Sequence, residues 1–316
     1  MPFNTVPHPD GRSIANGRLI LVAHLGSGNY GQVYRALDLE ATNDLVYFAV
    51  KSTTVRKGIV FHAFVSRHPN VVTYRDMWVE EDYVFMIMDY CPGGKLHKAI
   101  KEKKIFYCNN SLVKPVFIQV IDALRHGRAN EVFHRDIKSE NILCSKDRTQ
   151  VFRADFGLAT CEDYKFRGAG TLPYKSPEYL GEDFRSPTYS TRASDVWALG
   201  VLLLNMMVGR DPWVAAKISD RCFNCFLCDP DYFLKIFPIT PHPPSTRFCS
   251  ASSKGIALPE LCTEISKIDS FLVQPSPKIL QSLPPVPRQE LTVQPPACDD
   301  SGSYDRWSAS LGDVSS

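Results

Sequence analysis

Two short stretches carry the residue types that chemistry on a phosphate needs. His134-Arg135-Asp136-Ile137-Lys138-Ser139-Glu140-Asn141 brings a carboxylate, an ammonium and an amide close together, and Asp155-Phe156-Gly157 follows fourteen residues after Asn141. On neighbouring loops, Asp136 would accept a proton from an attacking hydroxyl and Lys138 would balance charge on the group in flight. Asn141 and Asp155 would offer hard oxygen ligands of the kind magnesium takes. Two solvated surface loops are the bland alternative, and the fixed spacing of the two strings weighs against it. Upstream, Leu25-Gly26-Ser27-Gly28-Asn29-Tyr30-Gly31-Gln32-Val33 sets glycines at 26, 28 and 31, where a missing Cβ lets backbone amides approach phosphate oxygens. Such a turn alone would serve a dinucleotide equally well, but then a helix should follow at once, with an acid about 20 residues on. Here Gln32 to Leu37 alternates as a strand does, and a second strand over Leu45 to Val50 leads into Lys51.

Strand, glycine turn, strand and lysine, followed by the two loop strings, resemble the protein kinases from about Leu19 to about Ser270. The loop at 134–141 is similar to the serine/threonine type, in which a lysine stands where Lys138 does, with Ser139 replacing a proline. His68-Pro69-Asn70-Val71-Val72 and the segment from Gly170 to Glu178 (G-T-L-P-Y-K-S-P-E) look like a fungal branch of serine/threonine kinases tied to nutrient and meiotic control. The resemblance implies an α+β, bilobal fold, with a β-rich small lobe over 19–90 and a helical large lobe over 91–272. It implies ATP and magnesium as cofactors and proteins as substrates. Leu25, Gly26, Ser27, Gly28, Asn29, Gly31 and Val33 would cover the nucleotide. Ala49, Met88, Asp89 and Cys91 would flank its base, with Met88 as gatekeeper and 89–91 as the hinge. Lys51 would hold the α- and β-phosphates, Asn141 and Asp155 the metal, and Thr171 would touch Asp136 and Lys138. Asp195 would tie down the backbone near Arg135, and Arg135 itself would seek an anion in the activation segment, 155–178.

Several slots depart from that pattern. The family places a glutamate on a helix to pair with the strand lysine, yet between Asp44 and Asp76 there is no acid at all. The slot falls on Gly58 or Ile59, so the pair is absent or supplied from elsewhere. Arg153 sits in a strand expected to be buried, where an unpaired guanidinium costs several kcal/mol. It is either turned into the cleft or a lesion. Lys95 follows Gly93-Gly94 where kinases that select basic substrates carry an acid, which leaves Glu140 as the remaining acceptor for a substrate arginine. Between Cys161 and Gly170 the one hydroxyl is Tyr164. Near the end of the large lobe Ile256 takes the place of an arginine that should pair with Glu178, and Arg247 is the nearest substitute. A non-catalytic scaffold of kinase shape, or a decaying copy, would share these losses. Retention of Lys51, Asp136, Asn141 and Asp155 favours an enzyme.

The supporting elements follow from periodicity. Val72 to Trp78 and Tyr83 to Met88 read as strands, completing a five-stranded small lobe. Apolar residues at 113, 116, 117, 120, 121 and 124 put a helix over Leu112 to His126, capped by Ser111 and stopped by Gly127. Val196 to Val208 is too short to span a bilayer and reads as a buried helix. Residues 1–18 read as a flexible lead, Leu258 to Leu272 as a last helix, and 273–316 as a disordered proline- and serine-rich tail. Pro284 to Pro287 reads as linker before it reads as a ligand for a proline-binding groove. A net charge of +2 on 316 residues gives no electrostatic case for nucleic acid or an acidic membrane. Ten cysteines with no apolar start at Met1 to Ser13 argue for a reducing setting, the cytoplasm and also the nucleus. Cys222, Cys225 and Cys228 lack a fourth metal ligand at fitting spacing and read as packing residues.

Overall fold

The computed structural model describes residues 11–228 apart from 29–30, 43, 54–55, 81–82, 108, 169 and 182–186. The expectations for Asn29, Arg247, Ile256, the helix at 258–272 and the tail at 273–316 lie outside the described residues.

Residues two apart on a strand share a face, and this sorts the small lobe into a core side and a cleft side. β1 (Ser13–Ile14), β2 (Leu19–Gly28), β3 (Gly31–Asp38), β4 (Tyr47–Thr53), β5 (Tyr74–Glu80) and β6 (Tyr83–Asp89) form one antiparallel sheet in the order β1-β2-β3-β4-β6-β5. Leu21, Tyr34, Ala36, Val50, Phe85 and Ile87 pack on one side. Val33, Ala49, Met86 and Met88 pack on the other, together with Ile59 of α1 (Lys57–Val65). Lys51, two residues from Ala49, therefore projects on the cleft side. The sheet has one strand more than predicted. β1 comes from the segment read as a lead, and the amide of Leu21 donates to Arg12 O at 2.9 Å.

The large lobe packs α3 (Asn110–Ala129) against α5 (Thr191–Val208) around Phe117, Val120, Leu124, Leu199, Leu202 and Met206. The apolar run from Val196 to Val208 lies inside α5, as predicted, and Gly209 closes that helix at φ 76°. α2 (Leu96–Lys101), α4 (Pro177–Leu180) and α6 (Arg221–Cys228) complete the described helices. Among the described residues no helix is long and apolar enough to cross a membrane. β7 (Gly94–Lys95), β8 (Ile142–Cys144) and β9 (Val151–Arg153) form a small sheet, and β10 (Tyr164–Phe166) pairs with β11 (Thr188–Ser190). The β8–β9 hairpin sets Ile142 opposite Arg153, and the amide of Ala154 donates to Asn141 O at 2.8 Å. That hairpin is what brings Asn141 and Asp155 side by side.

Two local predictions need correction. Asn109, not Ser111, is the N-cap of α3; Ser111 Oγ instead donates to Asn109 Oδ1 at 2.8 Å. Gly127 does not stop the helix. It lies within α3, where a Cβ would stand 2.8 Å from Arg153 Nη2 and 3.0 Å from Val132 O, so glycine is there for close approach. α6 carries Cys222, Cys225 and Cys228 as free cysteines, and no group of three or more metal-ligating side chains comes together among the described residues. Cys161 is disulfide-bonded, so the cysteines are not all the thiols that composition suggests.

Arg153 does not turn into the cleft. It is 3% exposed, its guanidinium lies 4.9 Å from the centre of the Phe156 ring, and none of its three nitrogens has a hydrogen-bond partner among the described residues. Burial pushes its pKa down to about 10. A buried cation without a partner is destabilising relative to an apolar side chain of similar volume. Arg153→Met should therefore raise the unfolding free energy by about 1–4 kcal/mol, read as a higher urea midpoint. An unchanged or lower midpoint would mean that the guanidinium has a counter-charge in the folded protein.

Candidate active site

The loop at 134–141 is held from below by one buried carboxylate. Asp195, in the first turns of α5 and 1% exposed, accepts from the amides of His134 and Arg135, each at 2.8 Å. His134 Nδ1 accepts from the amide of Asp136 at 3.3 Å, so its proton sits on Nε2, which donates to Ala154 O at 3.0 Å. Burial, aided by the charge of Arg153, lowers the His134 pKa and keeps the ring neutral. Arg135 adopts φ 65° and donates to Tyr189 Oη at 2.8 Å and Leu158 O at 3.2 Å. The anion expected in the activation segment is not what Arg135 meets; a phenol and a carbonyl take its place. Asp155 is also left-handed, at φ 59°, and a non-glycine residue held this way on a tight loop is a feature of functional sites.

Above this anchor the predicted catalytic groups converge. Asp136 Oδ2 lies 2.7 Å from Lys138 Nζ and accepts from Asn141 Nδ2 at 2.9 Å. Thr171 Oγ1 donates to Asp136 Oδ1 at 3.1 Å and accepts from Lys138 Nζ at 2.7 Å. Thr171 thus links the segment at 155–178 to the loop that carries Asp136 and Lys138. Asn141 spends its amide hydrogens on Asp136, both on the carboxylate and on the backbone oxygen at 2.9 Å, which leaves its Oδ1 as the end free to ligate a cation. Asp155 uses Oδ1 for Lys51 and for the amide of Gly157, which leaves Oδ2. One amide oxygen and one carboxylate oxygen on adjoining loops are a donor set that suits magnesium.

Lys51 takes its counter-ion from an unexpected place. Its Nζ lies 2.7 Å from Asp155 Oδ1. Burial works to raise the Asp155 pKa, but the charge and hydrogen bond of Lys51 outweigh it and hold the carboxyl below its ordinary value. The helix that should supply an acid is α1, and Gly58 faces the Asp-Phe-Gly turn. A Cβ on Gly58 would stand 2.9 Å from Gly157 Cα and 3.1 Å from Phe156 O. No side chain fits there without moving the helix, and Ile59 is spent in the cleft-side core. The shortened helix is closed against the loop, and the loop's own aspartate pairs with the lysine.

The residues expected to line a nucleotide are brought together only in part. Val33, Ala49, Met88 and Cys91 cluster on one wall, with Ala49 and Met88 almost fully buried. Leu143 joins the same cluster, and it was missed because one leucine in a three-residue strand has no sequence signature. Asp89 turns its carboxylate to Arg75, at 2.6 and 2.9 Å, leaving only its backbone for a base. Burial pushes the Cys91 thiol up to about 12, so it stays neutral. In the glycine turn, Gly31 has φ 130° and a Cβ there would overlap Ser52 O; Leu25, Gly26, Ser27 and Gly28 run out along β2.

The match to known proteins follows this geometry. The family model described as protein kinase domain matches residues 19–229. This chain belongs to the protein kinase family. A negative regulator of sexual conjugation and meiosis from Schizosaccharomyces pombe is 33% identical over 297 residues, covering 83% of this chain and 63% of that protein. The serine/threonine-protein kinase ksp1 of the same yeast is 33% identical, with 68% of this chain and 48% of that kinase covered. The serine/threonine-protein kinase VHS1 of Saccharomyces cerevisiae is 31% identical, with 75% and 54% covered. The chain thus spans about half to two thirds of the length of these relatives. The bilobal kinase fold and the resemblance to fungal serine/threonine kinases are both as the sequence predicts.

His62 is the second group that sequence reasoning missed. It is fully buried, its Nε2 lies 2.7 Å from Val72 O, and its ring centre lies 4.9 Å from that of Phe156 at a 42° tilt, with the His134 ring 4.9 Å from the same Phe156 at 60°. Burial pushes its pKa down from 6.5 to about 4. A base whose folded pKa is depressed gives stability that is complete above its unfolded pKa and is lost as pH falls toward the folded one. From this group alone we expect a loss of about 2 kcal/mol between pH 7 and pH 5. His62→Gln keeps a donor for Val72 O and removes the titration, so its urea midpoint should fall less steeply over that range. Parallel curves for the two proteins would contradict the assignment.

Proposed function

We propose that this chain is a serine/threonine protein kinase that moves the γ-phosphoryl group of ATP to a protein hydroxyl. The observation that carries the reading is the triangle of Asp136, Lys138 and Thr171, with every edge within hydrogen-bond distance. Asp136 receives the hydroxyl proton as the new O–P bond forms. Lys138 offsets charge on the transferring group, and Thr171 holds both side chains against the segment where substrate would lie. Lys51 draws in the α- and β-phosphates, and the glycine turn at 26–31 covers them. Asn141 and Asp155 would hold magnesium, which when bound supplies charge neutralisation at the triphosphate. Positioning and electrostatics do most of the work in this reaction class. The names of the relatives support serine/threonine specificity for protein substrates.

A scaffold reading draws on one observation, the missing helix acid at Gly58. Loss of one charge-assisted contact to Lys51 is worth about 1.5–3 kcal/mol, or roughly a 10- to 100-fold slower transfer. We therefore expect weak but measurable activity. With labelled ATP and magnesium, the protein should phosphorylate a pool of serine and threonine peptides, and Asp136→Asn should lower that rate by at least about 100-fold. Equal background transfer by both proteins would defeat the enzyme reading in favour of the scaffold.

A further inference from the structure

A cavity of about 700 Å³ lies where the two lobes join. It runs from Arg18, before β2, past Tyr47 and Phe48 at the start of β4 and the segment 89–92, to Lys146 in the turn between β8 and β9. Val33, Ala49 and Met88, which cluster on the nucleotide wall, are not part of its lining, although Asp89 and Cys91 border both. Its volume is that of a ligand site, and nothing in the proposed phosphoryl transfer uses it.

The lining combines aromatic rings, hydroxyl groups and two open charges. Tyr47 and Tyr90 meet edge to face with ring centres 6.4 Å apart, and the Arg35 guanidinium lies over both rings, at 4.9 and 6.0 Å. Neither phenol oxygen has a hydrogen-bond partner among the described residues. Arg18 pairs with Asp38 and Glu40, and Arg75 with Asp89. Asp76 Oδ1 accepts from the Met77 amide at 2.7 Å, but its Oδ2 is in no hydrogen bond or ion pair among the described residues, and neither is the exposed Lys146 ammonium. Tyrosines with free hydroxyls beside an open acid are the surface that an extended proline-rich chain takes. Such a chain makes no internal hydrogen bonds, so its carbonyls remain to accept from the groove, and its fixed φ lowers the entropy lost on binding.

The sequence carries a segment of that kind. In Leu283-Pro284-Pro285-Val286-Pro287-Arg288-Gln289-Glu290, an apolar residue followed by proline recurs after three positions, which is one turn of a polyproline II helix. A cation and an anion follow at once. Arg288 complements Asp76, and Glu290 complements Lys146. The 55 residues from 229 to 283 tie this segment to the end of α6. An unstructured chain of that length reaches about 40 Å, against a radius of gyration of about 17 Å for a domain of this size. A tether that can span the distance supplies a local concentration near the millimolar range, so a groove of modest affinity is filled.

We propose that the cavity at Tyr47, Tyr90 and Asp76 is a docking groove for the chain's own proline-rich segment, Leu283 to Glu290, bound in the polyproline II conformation. The groove does not depend on phosphoryl transfer, so it stands or falls separately from the kinase reading.

The test uses the full chain and a fluorescein-labelled peptide of residues 281–291, with binding read by fluorescence polarisation. In wild type the tethered segment occupies the groove, so the free peptide should bind weakly. Replacing Pro284 and Pro287 together by alanine empties the groove, and the peptide should then bind at least about 10-fold more tightly. In that background Tyr90→Phe keeps the ring and removes the donor, and should weaken binding by about 2- to 10-fold. Asp76→Arg, at an exposed position, should weaken it by about 3- to 10-fold, and a peptide carrying Arg288→Asp should recover that loss on the Asp76→Arg chain. No binding to the double proline variant, equal binding to it and to wild type, or binding indifferent to Asp76→Arg would overturn the proposal. Sedimentation of wild type as a dimer that the proline variant dissociates would assign the segment to a second copy and overturn docking within one chain.

Discussion

The ammonium of Lys51 must have an anion, and the packing of one short helix decides which. α1 lies so close to the Asp-Phe-Gly turn that Gly58 and Gly157 meet backbone to backbone. That contact leaves no room for an acid, and the nearest carboxylate, Asp155, becomes the partner at 2.7 Å. The same carboxylate is the one proposed above to ligate a divalent cation beside Asn141. One side chain therefore carries two tasks that a helix acid and a loop acid would otherwise divide. Its free Oδ2 is what keeps the two compatible.

The rest of the cleft is arranged around that economy. Phe156 contacts the rings of both His62 and His134, each tilted at 4.9 Å, so α1, the Asp-Phe-Gly turn and the loop at 134–141 share one cluster of rings. Neutrality of both histidines follows from burial, and it matters, because a charged ring in either place would add to the uncompensated guanidinium of Arg153. Asp195 ties down the His134 end of that cluster by accepting two backbone amides. The loop carrying Asp136 is thus tied down through its backbone, while the left-handed Asp155 and the unpaired Arg153 flank it.

Much of this was legible in the sequence, for definite reasons. Asp136, Lys138, Asn141, Asp155 and Thr171 lie in short strings whose internal spacing is fixed, and the structure brings Asp136, Lys138, Asn141 and Thr171 within hydrogen-bond reach, with Asp155 on Lys51. Lys51 was legible because it ends the strand that follows the glycine turn, the order the kinase resemblance gives; that 49 and 51 share a face is what the structure adds. The partners of those residues were harder. Which acid meets Lys51 depends on how deep α1 sits, and depth is a matter of packing between lobes that no local pattern records. Asp89 ends β6 where the hinge is expected, but its carboxylate follows Arg75 on the adjacent strand. Glu140 looked open because His97 lies 43 positions before it in the chain and reaches it only through the β7–β8 pairing. Gly127 read as a stop, whereas the bulk of Arg153 is what requires a glycine inside the helix.

The direct measurement of the central claim is a double-mutant cycle on the nucleotide-free protein, comparing Lys51→Met, Asp155→Asn and the combination by urea unfolding. If Asp155 is the counter-ion of Lys51, the two losses overlap, and the double variant should be more stable than the sum of the single effects predicts by about 1 kcal/mol. Strictly additive losses would contradict the account and return Lys51 to some other partner.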